Sequence, residues 1–112
     1  MSLLSFNGVF LVYNDAGFAL GREIAGEAEL LTLAVDPAAR RHGNGRQLLA
    51  AFETEALNRG TTKTFLEVAA SNFAAITLYQ ANGYRESGRR KDYYRPPAGQ
   101  KIDAILMCKQ LI

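Results

Sequence analysis

Apolar and polar positions divide the chain into short β-prone runs and two stretches of helical period. Val9 to Tyr13 (VFLVY) is the first run, Asn14-Asp15-Ala16-Gly17 supplies turn residues, and Phe18-Ala19-Leu20 resumes the pattern, which predicts a hairpin. Ala25-Gly26-Glu27 gives a second turn into a strand over Ala28–Val35. The first third therefore reads as an antiparallel meander, ended by Asp36-Pro37 because proline has no N–H to give a ladder. From Gly45 onward Leu48, Leu49, Phe52, Ala56 and Leu57 recur at helical spacing, with Arg46, Glu53, Glu55 and Arg59 off that stripe. Asn58-Arg59-Gly60 ends this helix with Gly60 as the cap.

Thr64 to Ala69 reads as the next strand, so strand, helix and strand form a βαβ unit with a right-handed crossover and parallel strands. Ser71-Asn72 caps a second helix running through Phe73, Ile76, Leu78 and Tyr79, which Asn82-Gly83 closes. Tyr84–Tyr94, a turn at Pro96-Pro97-Ala98-Gly99 and a strand over Asp103–Leu111 complete a long C-terminal hairpin. The expected architecture is a single α/β domain over residues 1–112. It has one mixed sheet, an antiparallel N-terminal meander, a βαβ core and the C-terminal hairpin.

The strand over Ala28–Val35 runs into Asp36-Pro37, a basic cluster and two glycines, and then into a helix. A strand feeding a glycine turn and a helix N-terminus holds phosphate well. The first-turn amides point outward unpaired, and the helix dipole favours negative charge. Gly43 and Gly45 let an anion approach the main chain, and Arg40, Arg41 and Arg46 surround the spot with positive charge. A P-loop would need Lys-Ser/Thr after its last glycine, where Arg46-Gln47 stand. A dinucleotide fingerprint would need a glycine at position 48, which is Leu48. What remains is Arg-x-x-Gly-x-Gly over Arg40-Arg41-His42-Gly43-Asn44-Gly45, readable as an anion loop or as plain turn chemistry.

Composition narrows the classes. At 112 residues and net charge +2 the chain is one small, mildly basic domain, with its basic residues gathered around 40–46 and 85–95. This suits a phosphate-bearing ligand and gives no general case for nucleic acid. Cys108 alone excludes an internal disulfide, fits a reducing cytoplasm, and among Ile105, Leu106, Met107 and Leu111 reads as a small buried apolar residue. With one histidine, one cysteine and no carboxylates at ligand spacing, no metal site is expected. No apolar run approaches the ~18 residues of a membrane span, so a soluble, cytoplasmic protein is expected.

Two residues could move protons. Glu67 is a lone acid in the run FLEVAA, in the C-terminal half of a strand, where α/β sheets place ligands; it reads as a general base, or as a carboxylate on a solvated face or paired with arginine. Tyr79, beside Ile76 and Leu78, reads as a general acid or as a core aromatic. Asn72 reads as a helix cap that could also bind a ligand amide. Tyr93, Tyr94 and Arg89-Arg90-Lys91 border an acceptor channel or decorate a solvated hairpin.

The glycine loop resembles the acetyl-coenzyme A pyrophosphate loop of the GNAT superfamily. Leu66-Glu67-Val68, Ser71-Asn72, Ala75-Ile76-x-Leu78-Tyr79, Asn82-Gly83-Tyr84, Arg89-Arg90-x-x-Tyr93-Tyr94 and Asp103-Ala104-Ile105 are similar to RimI-type ribosomal-protein-alanine N-acetyltransferases, over about Ala28 to Leu111. The resemblance implies acetyl-CoA as co-substrate, with Leu33-Ala34-Val35 binding its pantetheine and acetyl groups through the main chain. It implies a pyrophosphate loop over Arg41 to Arg46, a further contact from Asn72, Glu67 as proton acceptor and Tyr79 as proton donor. The implied activity is acetyl transfer to a protein or peptide N-terminal α-amine. A small-molecule amine acceptor and an acetyl-CoA-binding module without turnover are the alternatives. Family members usually begin with a strand and one or two helices that wall the acceptor site, whereas about eight residues precede Val9 here. The implied consequence is a homodimer in which a second subunit supplies the cover.

Overall fold

The structure, a computed structural model, describes residues 8–40 and 42–112. It contains six strands, β1 (Val9–Asn14), β2 (Gly17–Ile24), β3 (Glu27–Val35), β4 (Lys63–Ala69), β5 (Arg85–Tyr94) and β6 (Ile102–Gln110), and two α-helices, α1 (Asn44–Asn58) and α2 (Phe73–Ala81). The chain forms two compact units, one reaching Thr64 and including Gln110–Ile112, the other Phe65–Lys109. Among the described residues no helix is long and apolar enough to cross a membrane.

In the first unit β1, β2 and β3 form the expected antiparallel meander. Ala25 and Gly26, at φ 54° and 86°, make the two-residue β2–β3 turn; paired positive φ values give a twist that matches the flanking strands. Between the pairs Leu20–Thr32 and Gly21–Leu30 the register shifts, leaving Leu31 as an extra residue on β3. The core lies on one face, where Leu48, Leu49, Phe52 and Ala56 of α1 are buried with Phe10, Ala19, Ala28 and Leu30. Phe10 and Phe52 stack at 5.6 Å and 10°, and they do so directly over Gly21. A Cβ there would lie 2.5 Å from the Phe52 ring and 2.7 Å from the Phe10 ring.

Helix α1 ends as a Schellman motif, with Gly60 N–H donating to Leu57 C=O at 3.0 Å and Thr61 N–H to Ala56 C=O at 2.9 Å, around Gly60 at φ 86°. Arg59, the cap residue, lies 4.7 Å over the Phe10 ring and pairs with Glu55 at 2.8 Å. Three expectations need correction. The helix begins at Asn44 rather than Gly45, because Gly43 already takes the left-handed N-cap conformation. Leu57 falls off the buried stripe and is 41% exposed. Cys108 is half-buried rather than buried, since it alternates with the core residue Met107 along β6.

The second unit carries the rest of β4, α2 and the hairpin, with β6 between β4 and β5. Asn72 Oδ1 caps α2 by accepting from Ala75 N–H at 3.2 Å. Gly83 at φ 95° closes it with a second Schellman pair, Gly83 N–H to Gln80 C=O and Tyr84 N–H to Tyr79 C=O. Tyr79 is the buried residue of this helix, its ring 5.8 Å from that of Tyr84.

Two stability predictions follow from this packing. Gly21→Val drives a branched side chain into the Phe10–Phe52 stack and should lower stability by about 1–3 kcal/mol, a fall of at least roughly 5 °C in Tm by calorimetry. An unchanged Tm would show that the two rings do not fix α1 on the meander. Burial raises the Tyr79 phenol above its ordinary value, so its folded form holds the proton more tightly than its unfolded form. That contribution is complete below about pH 10 and is lost as pH rises through the folded value. The Tm of Tyr79→Phe should therefore fall less than that of the parent protein between about pH 9 and pH 11.

Candidate functional site

The candidate anion loop begins where β3 ends. Asp36 Oδ1 accepts from Ala38 N–H at 2.9 Å and caps a single 3-10 turn over Pro37–Ala39. Gly43, at φ 80° and ψ 7°, then opens α1 with no side-chain cap, and the first turn contains no acidic residue. The helix's own ladder starts with Gln47 N–H donating to Gly43 C=O at 3.0 Å, so the amides of Asn44, Gly45 and Arg46 precede it. The Arg46 guanidinium folds back to 3.8 Å from where a Gly43 Cβ would sit. Main-chain donors, positive helix end and guanidinium thus share one spot, as a phosphate needs.

Other residues expected here have different duties. Asn44 Nδ2 donates to Ala39 C=O at 2.9 Å, so its side chain braces the loop and its backbone N–H is what it offers a ligand. Arg40 Nε donates to Val35 C=O at 3.3 Å, across the end of β3. His42 is exposed, and Arg41 lies outside the described residues. Leu33, Ala34 and Val35 are half-buried and pair with Ala19, Phe18 and Gly17. A Cβ on Gly17 would run into the Ala34 carbonyl, so glycine is what lets β2 approach this part of β3. Ala34 and Val35 also line an open groove of about 730 Å³ with Leu11, Tyr13 and Phe18. Among the described residues, neither Arg40 nor any of 42–46 lines it.

The proton-handling candidates lie in the second unit. On β4, Thr64, Leu66 and Val68 are buried while Phe65, Glu67 and Ala69 alternate with them on the more open face. Glu67 is not alone there. Arg90 Nε lies 3.1 Å from its Oε2, which realises the arginine-paired alternative left open by the sequence. Burial pushes the Tyr79 hydroxyl up from its ordinary value, so it keeps its proton throughout the neutral range. Asn72 has its Oδ1 committed to the α2 cap, which leaves Nδ2 for any ligand amide.

Tyr93 and Tyr94 meet edge to face at 5.2 Å and 85°. They follow an irregularity in which the ladder jumps from Arg90–Ala104 to Tyr94–Ile102, with Asp92 at φ 54°. Asp103 stitches this segment, accepting from Asp92 N–H at 2.9 Å and from Arg89 Nη1 at 3.1 Å, and these partners hold its carboxyl below the usual range. Burial raises the Tyr94 phenol, and the charge of Glu67 raises it further. Arg90, paired with Glu67 and lying over the Tyr93 ring, is the residue here that the sequence does not single out from its basic cluster. The signal available was its adjacency to the tyrosine pair.

Comparison with known proteins gives the context of these two sets of residues. The acetyltransferase (GNAT) family model matches residues 4–84. The [ribosomal protein bS18]-alanine N-acetyltransferase of Salmonella typhimurium is 45% identical over 92 residues, which are 82% of this chain and 62% of that protein. The crystal structure of the ribosomal-protein-S18-alanine N-acetyltransferase from Escherichia coli superposes with TM-score 0.82 at 38% identity, covering 93% of this chain and 70% of the other. A GNAT family acetyltransferase from Elizabethkingia anophelis, solved with acetyl-CoA bound, shares the fold at TM-score 0.80 and 24% identity, over 93% and 77% of the two chains. The chain spans a little over three fifths of the length of the Salmonella relative. With a family model matched over most of its length and a mixed α/β fold common to these structures, the chain belongs to the acetyltransferase (GNAT) family.

Proposed function

We propose that the protein is an acetyl-CoA-dependent N-acetyltransferase acting on the N-terminal α-amine of a protein, with alanine of a ribosomal protein as the first acceptor to test, after the activity that the Salmonella and Escherichia coli relatives are named for. The observation that carries this reading is the N-terminus of α1: a left-handed Gly43, three amides ahead of the helical ladder, the Arg46 guanidinium 3.8 Å from where a Gly43 Cβ would sit and no acid in the first turn. In this reading the pyrophosphate binds there through Gly43, Asn44, Gly45 and Arg46, with Arg40, Arg41 and His42 alongside. The main chain of Leu33, Ala34 and Val35 holds the pantetheine and acetyl groups, and Asn72 is a further contact to the co-substrate. Tyr93 and Tyr94 contact the acceptor.

The acceptor arrives as an ammonium with a pKa near 8. Glu67, directly or through a water, takes one proton, and the freed nitrogen lone pair attacks the thioester carbonyl carbon. As the tetrahedral adduct collapses, the C–N bond remains, the C–S bond breaks and the thiolate leaves with the bonding pair. Tyr79 supplies a proton to that sulfur and regains one from the second proton released by nitrogen, so the sum is amide, free thiol and one proton, which Glu67 passes to water. A thiol has a pKa near 8.5, so a phenol above 10 gives up its proton uphill by roughly 2 kcal/mol or more, which ties its transfer to C–S cleavage. A non-catalytic acetyl-CoA-binding module is the second reading, and the engagement of Glu67 by Arg90 is the observation that favours it.

Thermal shift with acetyl-CoA and thiol release on peptides with free N-terminal alanine separate these readings. A ligand at a hundred times its Kd should stabilise the fold by about 2.7 kcal/mol. Stabilisation with thiol release supports the enzyme, and stabilisation without it supports the module. No stabilisation, or an unaltered acetyl-CoA Kd in Gly45→Val, would remove the loop assignment. Tyr79→Phe should lower kcat about a hundredfold or more with little change in acetyl-CoA Kd. The deficit of Glu67→Gln should deepen as pH falls below about 8, where the acceptor is protonated and needs the base, and shrink above it.

A further inference from the structure

Arg90 and Glu67 form an ion pair that the proposed chemistry does not use. Arg90 Nε stands 3.1 Å from Glu67 Oε2, and the two side chains are 57% and 22% exposed. The Arg90 guanidinium is at the same time 5.4 Å from the centroid of the Tyr93 ring, which is itself edge-on to Tyr94. Its neighbour Arg89 is held by different carboxylates, Asp103 at 3.1 Å and Glu86 at 3.5 Å. Arg90 therefore joins Glu67 of β4 to the tyrosine pair of β5.

Resting on the reading of Glu67 as the base, we propose that Arg90 holds the Glu67 carboxylate in place of the acceptor's ammonium, so that acceptor binding is an exchange of one cation for another. A guanidinium never loses its charge in the working pH range, so it occupies a carboxylate at every pH at which the acceptor is cationic. An ion pair this exposed is weakly held, which makes Arg90 displaceable rather than structural. Its planar group already overlies Tyr93, so on leaving the carboxylate it retains an aromatic partner. The less exposed Glu67 is never left without a counter-charge, because the incoming ammonium replaces the departing guanidinium. Acetylation turns the ammonium into a neutral amide, which no longer competes. Arg90 then regains the carboxylate as product leaves. The device selects for acceptors that bring a positive charge, since a hydroxyl or an amide returns nothing for displacing Arg90.

The test is equilibrium binding by titration calorimetry to protein saturated with coenzyme A, using one peptide with a free N-terminal alanine and the same peptide N-acetylated. Parent protein, Arg90→Ala and Arg90→Lys are compared, and thiol release from acetyl-CoA by the parent protein is measured on the free peptide. In Arg90→Ala the free peptide should bind about two- to fivefold tighter while the acetylated peptide keeps its Kd. Arg90→Lys should restore the parental ratio of the two constants. An unchanged ratio in Arg90→Ala overturns the exchange, and so does a parallel weakening of both peptides, which is what a merely structural pair would give. Absence of thiol release by the parent protein instead strikes the acetyltransferase reading, and the ratio of constants still decides the exchange.

Discussion

The stack of Phe52 on Phe10 over Gly21 is the contact on which the first unit depends. It sets how closely α1 approaches the meander, and only a residue without a side chain at position 21 allows that approach. The consequence reaches the other end of the helix. Phe52, Leu48 and Leu49 share one buried stripe, so seating Phe52 also fixes the turn that begins at Gly43. The amides proposed to hold pyrophosphate are thus positioned by an apolar contact two turns away. That arrangement leaves the first turn of α1 free of buried packing residues. The Arg59 guanidinium, from the helix C-terminus, lies 4.7 Å from the centroid of the same Phe10 ring.

Much of this was legible in the sequence because the punctuation is strong. Both helices end in a glycine at positive φ with the same pair of backbone hydrogen bonds, and Asn72 caps α2 as its position before an apolar run suggests. The meander was legible because Asn14-Asp15-Ala16-Gly17 and Ala25-Gly26 flank β-prone runs. Boundaries moved by a residue or two where local chemistry was ambiguous. Gly43 and Gly45 could each have opened α1, and the left-handed φ of Gly43 decides it. Leu57 is exposed because it sits at the margin of the helical stripe, where sequence period alone does not separate a core position from a flank.

The candidate site was legible in parts, for a different physical reason. Residue types that carry chemistry declare themselves as candidates, and Glu67, Tyr79 and the glycine loop are proposed on that basis together with the resemblance to N-acetyltransferases. Partnerships between distant residues do not. The Glu67–Arg90 pair joins positions 23 residues apart in sequence across separate strands, and its register depends on irregularities in β5 that no period reveals. The positive φ of Asp92 is an example. Nothing in Lys91-Asp92-Tyr93 announces it, and it is held by the Asp103 carboxylate from the opposite strand.

The basic run at 89–91 shows why a charge count is a poor guide to function. Arg89 and Arg90 pair in succession with Ile105 and Ala104, so the pleat sends their side chains to opposite faces of β5. On one face Arg89 is shared between two carboxylates and ties down the strained segment that presents the tyrosines. On the other, Arg90 faces a single carboxylate and an aromatic ring. A cation held by two acids and a bulge is fixed in place. A cation held by one acid, largely in water and with a second partner at hand, is exchangeable. The same residue type, one position apart, is divided by strand geometry into a structural clamp and a displaceable counter-ion. The candidate anion loop shows the complementary case in Arg46, which stands in a first helical turn that contains no acidic residue.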